Sequence, residues 1–169
     1  MNYFVHDSSY VDEGAVIGEG TKIWHFCHIT SKAKIGKNCN IGQNVFIGDN
    51  VILGDNCKVQ NNVSIYEGVI IEDGVFVGPS VVFTNIRAPR SFISRKNKYI
   101  KTVIKKGATL GANSTIICGI TICEYSFVGA GSIVTKGVPP HTTVYGNPAR
   151  IIGSVSRDAN ELLVNWENK

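Results

Sequence analysis

The sequence predicts an all-β fold in which short parallel strands wind into a triangular β-helix, and three observations predict it. An apolar residue recurs every sixth position from Val5 to Phe83 and again from Ile104 to Val134. The fifth position of each six is small, as at Ala15, Cys27, Ala33, Cys39, Val45 and Cys57. Between them stand Gly, Asn and Asp, the residues that ease tight turns and positive φ. A helix repeats its apolar face every 3.6 residues and a half-buried strand every 2, so neither accounts for the pattern.

The first run counts Val5, Val11, Ile17, Ile23, Ile29, Ile35, Ile41, Ile47, Leu53, Val59, Ile65, Ile71, Val77 and Phe83. The second counts Ile104, Leu110, Ile116, Ile122, Val128 and Val134. Three hexads close one coil of about 18 residues, and stacking at the roughly 4.8 Å strand spacing predicts six to seven coils, a column about 30 Å tall. From Phe83 to Ile104 the count is 21 residues, not a multiple of six, and removing fifteen of them restores the register. Residues 86–100 are therefore expected to leave the prism as a loop. Pro139-Pro140 ends the repeat. The expected organisation is residues 1–139 as the β-helix with its inserted loop, and 140–169 as an extended tail with a short helix over 156–169 carrying Leu162, Leu163 and Trp166.

Composition narrows the function. No stretch has the ~18 consecutive apolar residues of a membrane span, and MNYFVHDSSY lacks the basic and apolar regions of a secretory signal. A cytoplasmic protein is expected, with no membrane or nucleic-acid partner. The five cysteines show no zinc-like spacing, and three occupy the small inward position. There is no P-loop, no G-x-G-x-x-G on a strand-to-helix turn and no H-E-x-x-H. Eight of the 17 Lys and Arg fall in 86–106, which has no Asp or Glu. That concentration points to a phosphate- or carboxylate-bearing ligand.

An 18-residue coil stacks Glu67 beneath Asn85 at the point where the basic loop leaves. A carboxylate and an amide beside a cationic flap suit an amine, although Glu and Asn also serve in exposed turns. His25, Asn44 and Asn62 lie in neighbouring columns, and His28 is a candidate general base. The loop offers Arg87, Arg90, Arg95 and Lys96. No metal set is complete: a carbonic-anhydrase-like site needs a third histidine beside His25 and His28. A non-catalytic scaffold remains the other alternative.

Several stretches resemble the hexapeptide-repeat nucleotide-sugar N-acetyltransferases: IWHFCHI (23–29), IGKNCNIGQNVFIG (35–48), VQNNVSIYEGV (59–69), GPSVVFTN (78–85), PRSFISRKNKY (89–99), KKGATLGANSTIICG (105–119) and VYGNPARIIG (144–153). The resemblance is strongest to enzymes that acetylate the 3-amino group of UDP-2-acetamido-3-amino-2,3-dideoxy-glucuronate or of dTDP-3-amino-3,6-dideoxyhexoses. It implies a left-handed helix and a homotrimer with active sites between subunits. It implies acetyl-CoA as co-substrate and no metal, with a role in lipopolysaccharide or O-antigen biosynthesis. Asn85 and Glu67 match the family's functional amide and acid. Acetyl-CoA would pass Gly111, Ala112, Gly129 and Ala130 and approach Lys136 and Asn147-Pro148-Ala149-Arg150. Arg87-Ala88 departs from the family, which has an aromatic residue followed by Asn before P-R-S.

Overall fold

The structure, a computed structural model, describes residues 2–96 and 98–164. The chain forms a left-handed parallel β-helix of triangular section with no α-helix among the described residues. Its first face begins with Phe4–Val5, Lys22–Ile23 and Asn40–Ile41 and ends with Phe127–Val128 and Thr142–Gly146. The second runs from Tyr10–Val11 through His28–Ile29, Phe46–Ile47, Ser64–Ile65 and Val82–Phe83 to Ile133–Val134. The third runs from Val16–Ile17 to Thr121–Ile122. We call the turns between faces one and two, two and three, and three and one the first, second and third corners. Each coil lies above its predecessor, with the C-terminal end uppermost. The segment after the repeat adds a rung to the first face, which therefore reaches eight parallel strands.

Positions one and five of every hexad point inward. Ile23, Ile41, Ile65, Leu110 and Val128 are fully buried, as are Cys57, Val63 and Ala108. Each buried aliphatic side chain contributes about 1.5–3 kcal/mol, and the backbone groups of each rung bond to the next. Along one face, partners are one coil apart, as in Lys58↔Phe76. Where the pairing spans the loop the partner is 33 residues on, one coil plus fifteen, on all three faces, as in Ile70↔Val103, Phe76↔Thr109 and Val82↔Thr115, and above it the spacing returns to 18, as in Thr109↔Phe127. The Ile100 N–H donates to the Asn85 carbonyl at 2.9 Å, which pinches the base of the extruded segment.

The turn glycines serve two purposes, of which the sequence suggests only one. Positive φ falls at position four, on Asn38, Asn44, Asn50, Asn56 and Asn62 among others. The glycines directly after the apolar residue have ordinary φ and are required by close approach instead. A Cβ on Gly36 would stand 2.5 Å from the Gly54 carbonyl carbon, and one on Gly18 equally close to Gly36.

The expected C-terminal helix is not formed over the described part. Residues 156–160 turn, and Leu162–Val164 pairs antiparallel with Ala149–Val155. A free sheet edge offers unpaired N–H and C=O groups, and the chain satisfies them by adding a strand. Leu162 and Leu163 stay exposed, so the amphipathic stripe finds no core to bury against. Trp166 and the rest of 165–169 lie outside the described residues.

Candidate active site

Glu67 and Asn85 occupy the second corner, one coil apart, each at position three of its turn. Asn85 Nδ2 donates to the Glu67 backbone carbonyl at 3.4 Å rather than to its carboxylate. The carboxylate is held from below: Asn50 Nδ2 donates to Glu67 Oε1 at 2.8 Å. The corner thus presents a half-buried carboxylate with one oxygen still available, beside a half-buried amide.

The basic loop roofs this corner. Glu67, Asn50, Gly68 and Ile70 form the floor of a cavity of about 350 Å³ whose other walls are Lys96, Tyr99 and Lys101. Thr102 N–H to the Gly68 carbonyl at 2.9 Å ties the returning strand to the same turn. A second hollow, about 510 Å³, lies within the loop among Arg90, Ser91, Phe92, Arg95 and Tyr99. Arg95 Nε is buried there without a hydrogen-bond partner. None of the ion pairs among the described residues, His28–Asp12, Lys32–Asp49 and Lys105–Glu124, involves a loop cation. The loop is therefore a concentration of uncompensated positive charge, suited to an anionic ligand.

The other predicted residues are spread over two corners, one face and the hairpin turn after the repeat. Lys136, exposed, shares the second corner with Glu67 and Asn85. His25, Asn44, Asn62, Gly111, Ala112, Gly129 and Ala130 line the first corner in ascending coils. Asn44 Nδ2 donates to Asn62 Oδ1 at 3.1 Å, and Tyr145 lies against Gly129, where a Cβ would meet its ring. Asn147 and Pro148, joined by a cis peptide bond, form the exposed hairpin turn before Arg150. His28 stands on the second face, 3.1 Å from Asp12 and edge-on to Phe46, two coils below Glu67. Arg87 folds back over Gly119 in the coil above, where a Cβ would stand 3.1 Å from its Nη2, so it does not line the Glu67 cavity. Sequence reasoning gives no site role to Asn50, Lys101 or Tyr99, the last noted only as an aromatic residue within the basic loop. Column counting in steps of 18 finds Asn85 over Glu67 but passes over Asn50, 17 residues away on the diagonal.

The faces between the corners also differ. Outward residues of the first face include Lys22 and Lys58, and those of the third include Lys34. The second presents Tyr10, His28, Phe46, Ser64, Val82, Thr115 and Ile133, without a lysine or a carboxylate.

The pattern of the bacterial transferase hexapeptide family, in six repeats, matches residues 14–49, 50–85 and 101–136. The chain belongs to this family. A hexapeptide repeat of succinyl-transferase also matches residues 32–67 of this hexapeptide-family chain. Over 62 residues the chain is 52% identical to the dTDP-3-amino-3,6-dideoxy-α-D-galactopyranose 3-N-acetyltransferase of Aneurinibacillus thermoaerophilus, a match covering 37% of the chain and 32% of that protein. The chain thus spans about a third of that relative's length. Among solved structures, a hexapeptide transferase family protein from Anaplasma phagocytophilum shares the fold at TM-score 0.64 and 21% identity, over 93% of this chain and 85% of that one. AntD, an N-acyltransferase from Bacillus cereus seen as a variant with dTDP and coenzyme A, shares it at TM-score 0.56 and 20% identity, over 92% and 84%.

Proposed function

We propose that the protein transfers the acetyl group of acetyl-CoA to the 3-amino group of a nucleotide-linked 3-amino-3-deoxy sugar. The observation that carries this reading is the Glu67–Asn85 corner roofed by uncompensated cations, which gives an amine an acceptor beside a place for anionic groups. The 52%-identical stretch shared with a 3-N-acetyltransferase supports the same chemistry. We favour UDP-2-acetamido-3-amino-2,3-dideoxy-glucuronate, because Lys96 and Lys101 share the Glu67 cavity and suit a sugar carboxylate. A dTDP-3-amino-3,6-dideoxyhexose is the second reading, favoured by the substrate in that relative's name.

In this proposal the assembly is a homotrimer whose second faces, which present no lysine, meet around the axis. The first corner of one protomer then stands opposite the second corner of its neighbour, and the two groups of residues complete one cleft. Acetyl-CoA occupies the upper part, past Gly111, Ala112, Gly129 and Ala130 towards Lys136 and the Asn147–Arg150 turn. The nucleotide sugar occupies the lower part, with His25, Asn44 and Asn62 opposite the flap.

The neutral amine attacks the thioester carbonyl carbon. A C–N bond forms, the C–S bond breaks, and the amine proton ends on the departing thiolate. Asn85 and the free oxygen of Glu67 fix the amine's direction of attack. A carboxylate is a weaker base than an amine, so orientation is the larger contribution of Glu67. A corner N–H near Gly111 faces the oxyanion. Acetyl transfer, followed by free-thiol release against UDP- and dTDP-linked 3-amino sugars, tests the proposal. Turnover of either class supports it, and bound CoA without turnover of any 3-amino sugar overturns the acceptor assignment.

A further inference from the structure

The lowest two coils of the first corner carry an aromatic cluster of which only His25 belongs to the nucleotide-sugar cleft proposed above. His6 and His25 stack with ring centroids 3.6 Å apart, and the Trp24 and His25 planes lie within 9° of each other. Phe4 tilts against Trp24 at 5.5 Å and Phe26 against His25 at 6.0 Å. Two of these rings are fixed by hydrogen bonds: Trp24 Nε1–H donates to Asn40 Oδ1 at 2.8 Å, and the Ser8 N–H donates to His6 Nδ1 at 3.2 Å. Yet the cluster is not buried, since Phe26 is 62% exposed and Phe4 43%. Ordered rings with open faces are a platform rather than a core.

Phe26 strengthens the point. It sits at position four with φ of 59°, where the turns above carry Asn44 and Asn62. A bulky residue in the left-handed region is strained, and such strain persists only where the surroundings enforce it. Here the enforcement is visible: the Phe26 N–H donates to Ser8 Oγ at 3.0 Å, and the Cys27 N–H to Ser9 Oγ at 2.9 Å. Tyr125 shares the strained conformation, but its ring is packed against Gly107 and lies 5.2 Å from His141. The Phe26 ring tilts against His25 but stays 62% exposed, so burial does not account for its presence.

Resting on the nucleotide-sugar reading, we propose that this cluster is the stacking platform for the base of the nucleoside diphosphate. The height agrees. The Trp24–Phe26 turn lies two to three coils below the Glu67–Asn85 level, or roughly 10–15 Å at the strand spacing. A ribose and a diphosphate must bridge that interval when the sugar amine reaches Glu67. The intervening turns of the same corner offer amides, Asn44 and Asn62, suited to hydroxyl and phosphate oxygens. Stacking uses the π-face that every base has, so the platform supplies affinity while the amides and flap supply orientation.

The test is calorimetric titration of UDP, dTDP and pyrophosphate into the wild-type protein and Phe26→Asn, with CoA titrated in parallel and the assembly state measured by sedimentation. Asn is what the equivalent turns carry, so the variant keeps the fold. The expected result is a loss of about tenfold or more in nucleotide affinity, with pyrophosphate and CoA binding and the assembly unchanged. Trp24→Leu should add to the loss. Equal weakening of pyrophosphate, unchanged nucleotide affinity, or dissociation of the assembly overturns the platform; the last would make Phe26 a subunit-packing residue. Failure of the wild-type protein to bind either nucleotide while CoA still binds sinks the nucleotide-sugar reading itself.

Discussion

The amide of Asn50 holds one oxygen of the Glu67 carboxylate at 2.8 Å from the turn below, while Asn85 in the turn above touches only the Glu67 backbone. The orientation of the acid is therefore set from beneath. Asn50 has φ of 59°, a conformation glycine adopts without strain. Asn50→Gly should keep the fold and the CoA affinity and lower kcat by about tenfold, the scale of a lost orienting hydrogen bond. Asn50→Asp, which sets a like charge against Glu67, should lower it further. Steady-state kinetics with a CoA-binding control reads both. A variant with full kcat would leave Asn50 a turn residue alone.

Asn85 and Glu67 themselves should show the larger losses. Asn85→Ala removes the amide that the proposed reaction sets against the amine but leaves the Asn85 carbonyl, and with it the clasp to Ile100, intact. We expect kcat to fall by about 10²–10³-fold, the scale of a positioned donor at a reacting centre, with the melting temperature little changed. Glu67→Gln should keep the Asn50 contact and lose most of its rate. Full activity in either would remove that residue from the mechanism.

Close approach between coils, rather than turn conformation, should govern the glycines that follow the apolar residues. Gly36→Ala places a methyl group 2.5 Å from the Gly54 backbone, which cannot yield as a side chain does. A destabilisation of about 1–3 kcal/mol follows from such overpacking. Asn38→Gly, two residues on at φ 54°, should be nearly neutral. Thermal unfolding of the two variants compares the two causes directly, and equal effects would refute the distinction.

The division between what the sequence discloses and what it hides follows from the repeat. Ile41, Ile47 and Leu53 disclose the prism because burial is enforced at every sixth residue. Glu67 and Asn85 are found by counting one coil. Asn50 escapes because its contact runs diagonally between turns, Tyr99 because the loop obeys no period, and Lys101 because it follows the loop directly, where only the fold shows that it faces Glu67. Arg87 counts among the loop cations by sequence, yet its guanidinium lies over Gly119 in the coil above. Over its described residues the tail forms no helix, because Leu162 and Leu163 meet an open strand edge before any apolar surface.

The five thiols should differ sharply in reactivity. Cys27, Cys39, Cys57 and Cys118 are buried, and Cys123 is partly exposed. Burial pushes the Cys27 thiol up, and contact with the Cys39 thiol together with burial pushes Cys57 up, while the same contact lowers Cys39, which only its burial keeps from reagent. A raised thiol pKa keeps the unreactive protonated form as pH rises. Alkylation of the folded protein at pH 8, read by mass spectrometry, should modify Cys123 alone, and all five after denaturation. Modification of Cys57 in the folded state would mean that the column opens.

Lys96 and Lys101 allow the two sugar classes to be told apart. Both line the cavity over Glu67, and neither is in an ion pair among the described residues. If the acceptor carries a carboxylate, Lys101→Ala should raise its KM by about tenfold, the loss of a charge-assisted contact, and leave kcat within a few-fold. A neutral deoxyhexose acceptor should show little change in KM, because Lys101 then faces no charge. Double replacement of Lys96 and Lys101 should deepen the first effect without creating the second. Salt adds an independent reading: turnover of a carboxylate-bearing acceptor should weaken as ionic strength rises, since partly exposed charge pairs are screened over about 10 Å at 0.1 M. Equal responses from both acceptors would show that the lysines act on the diphosphate common to them, and the sugar carboxylate would lose its place in the cavity.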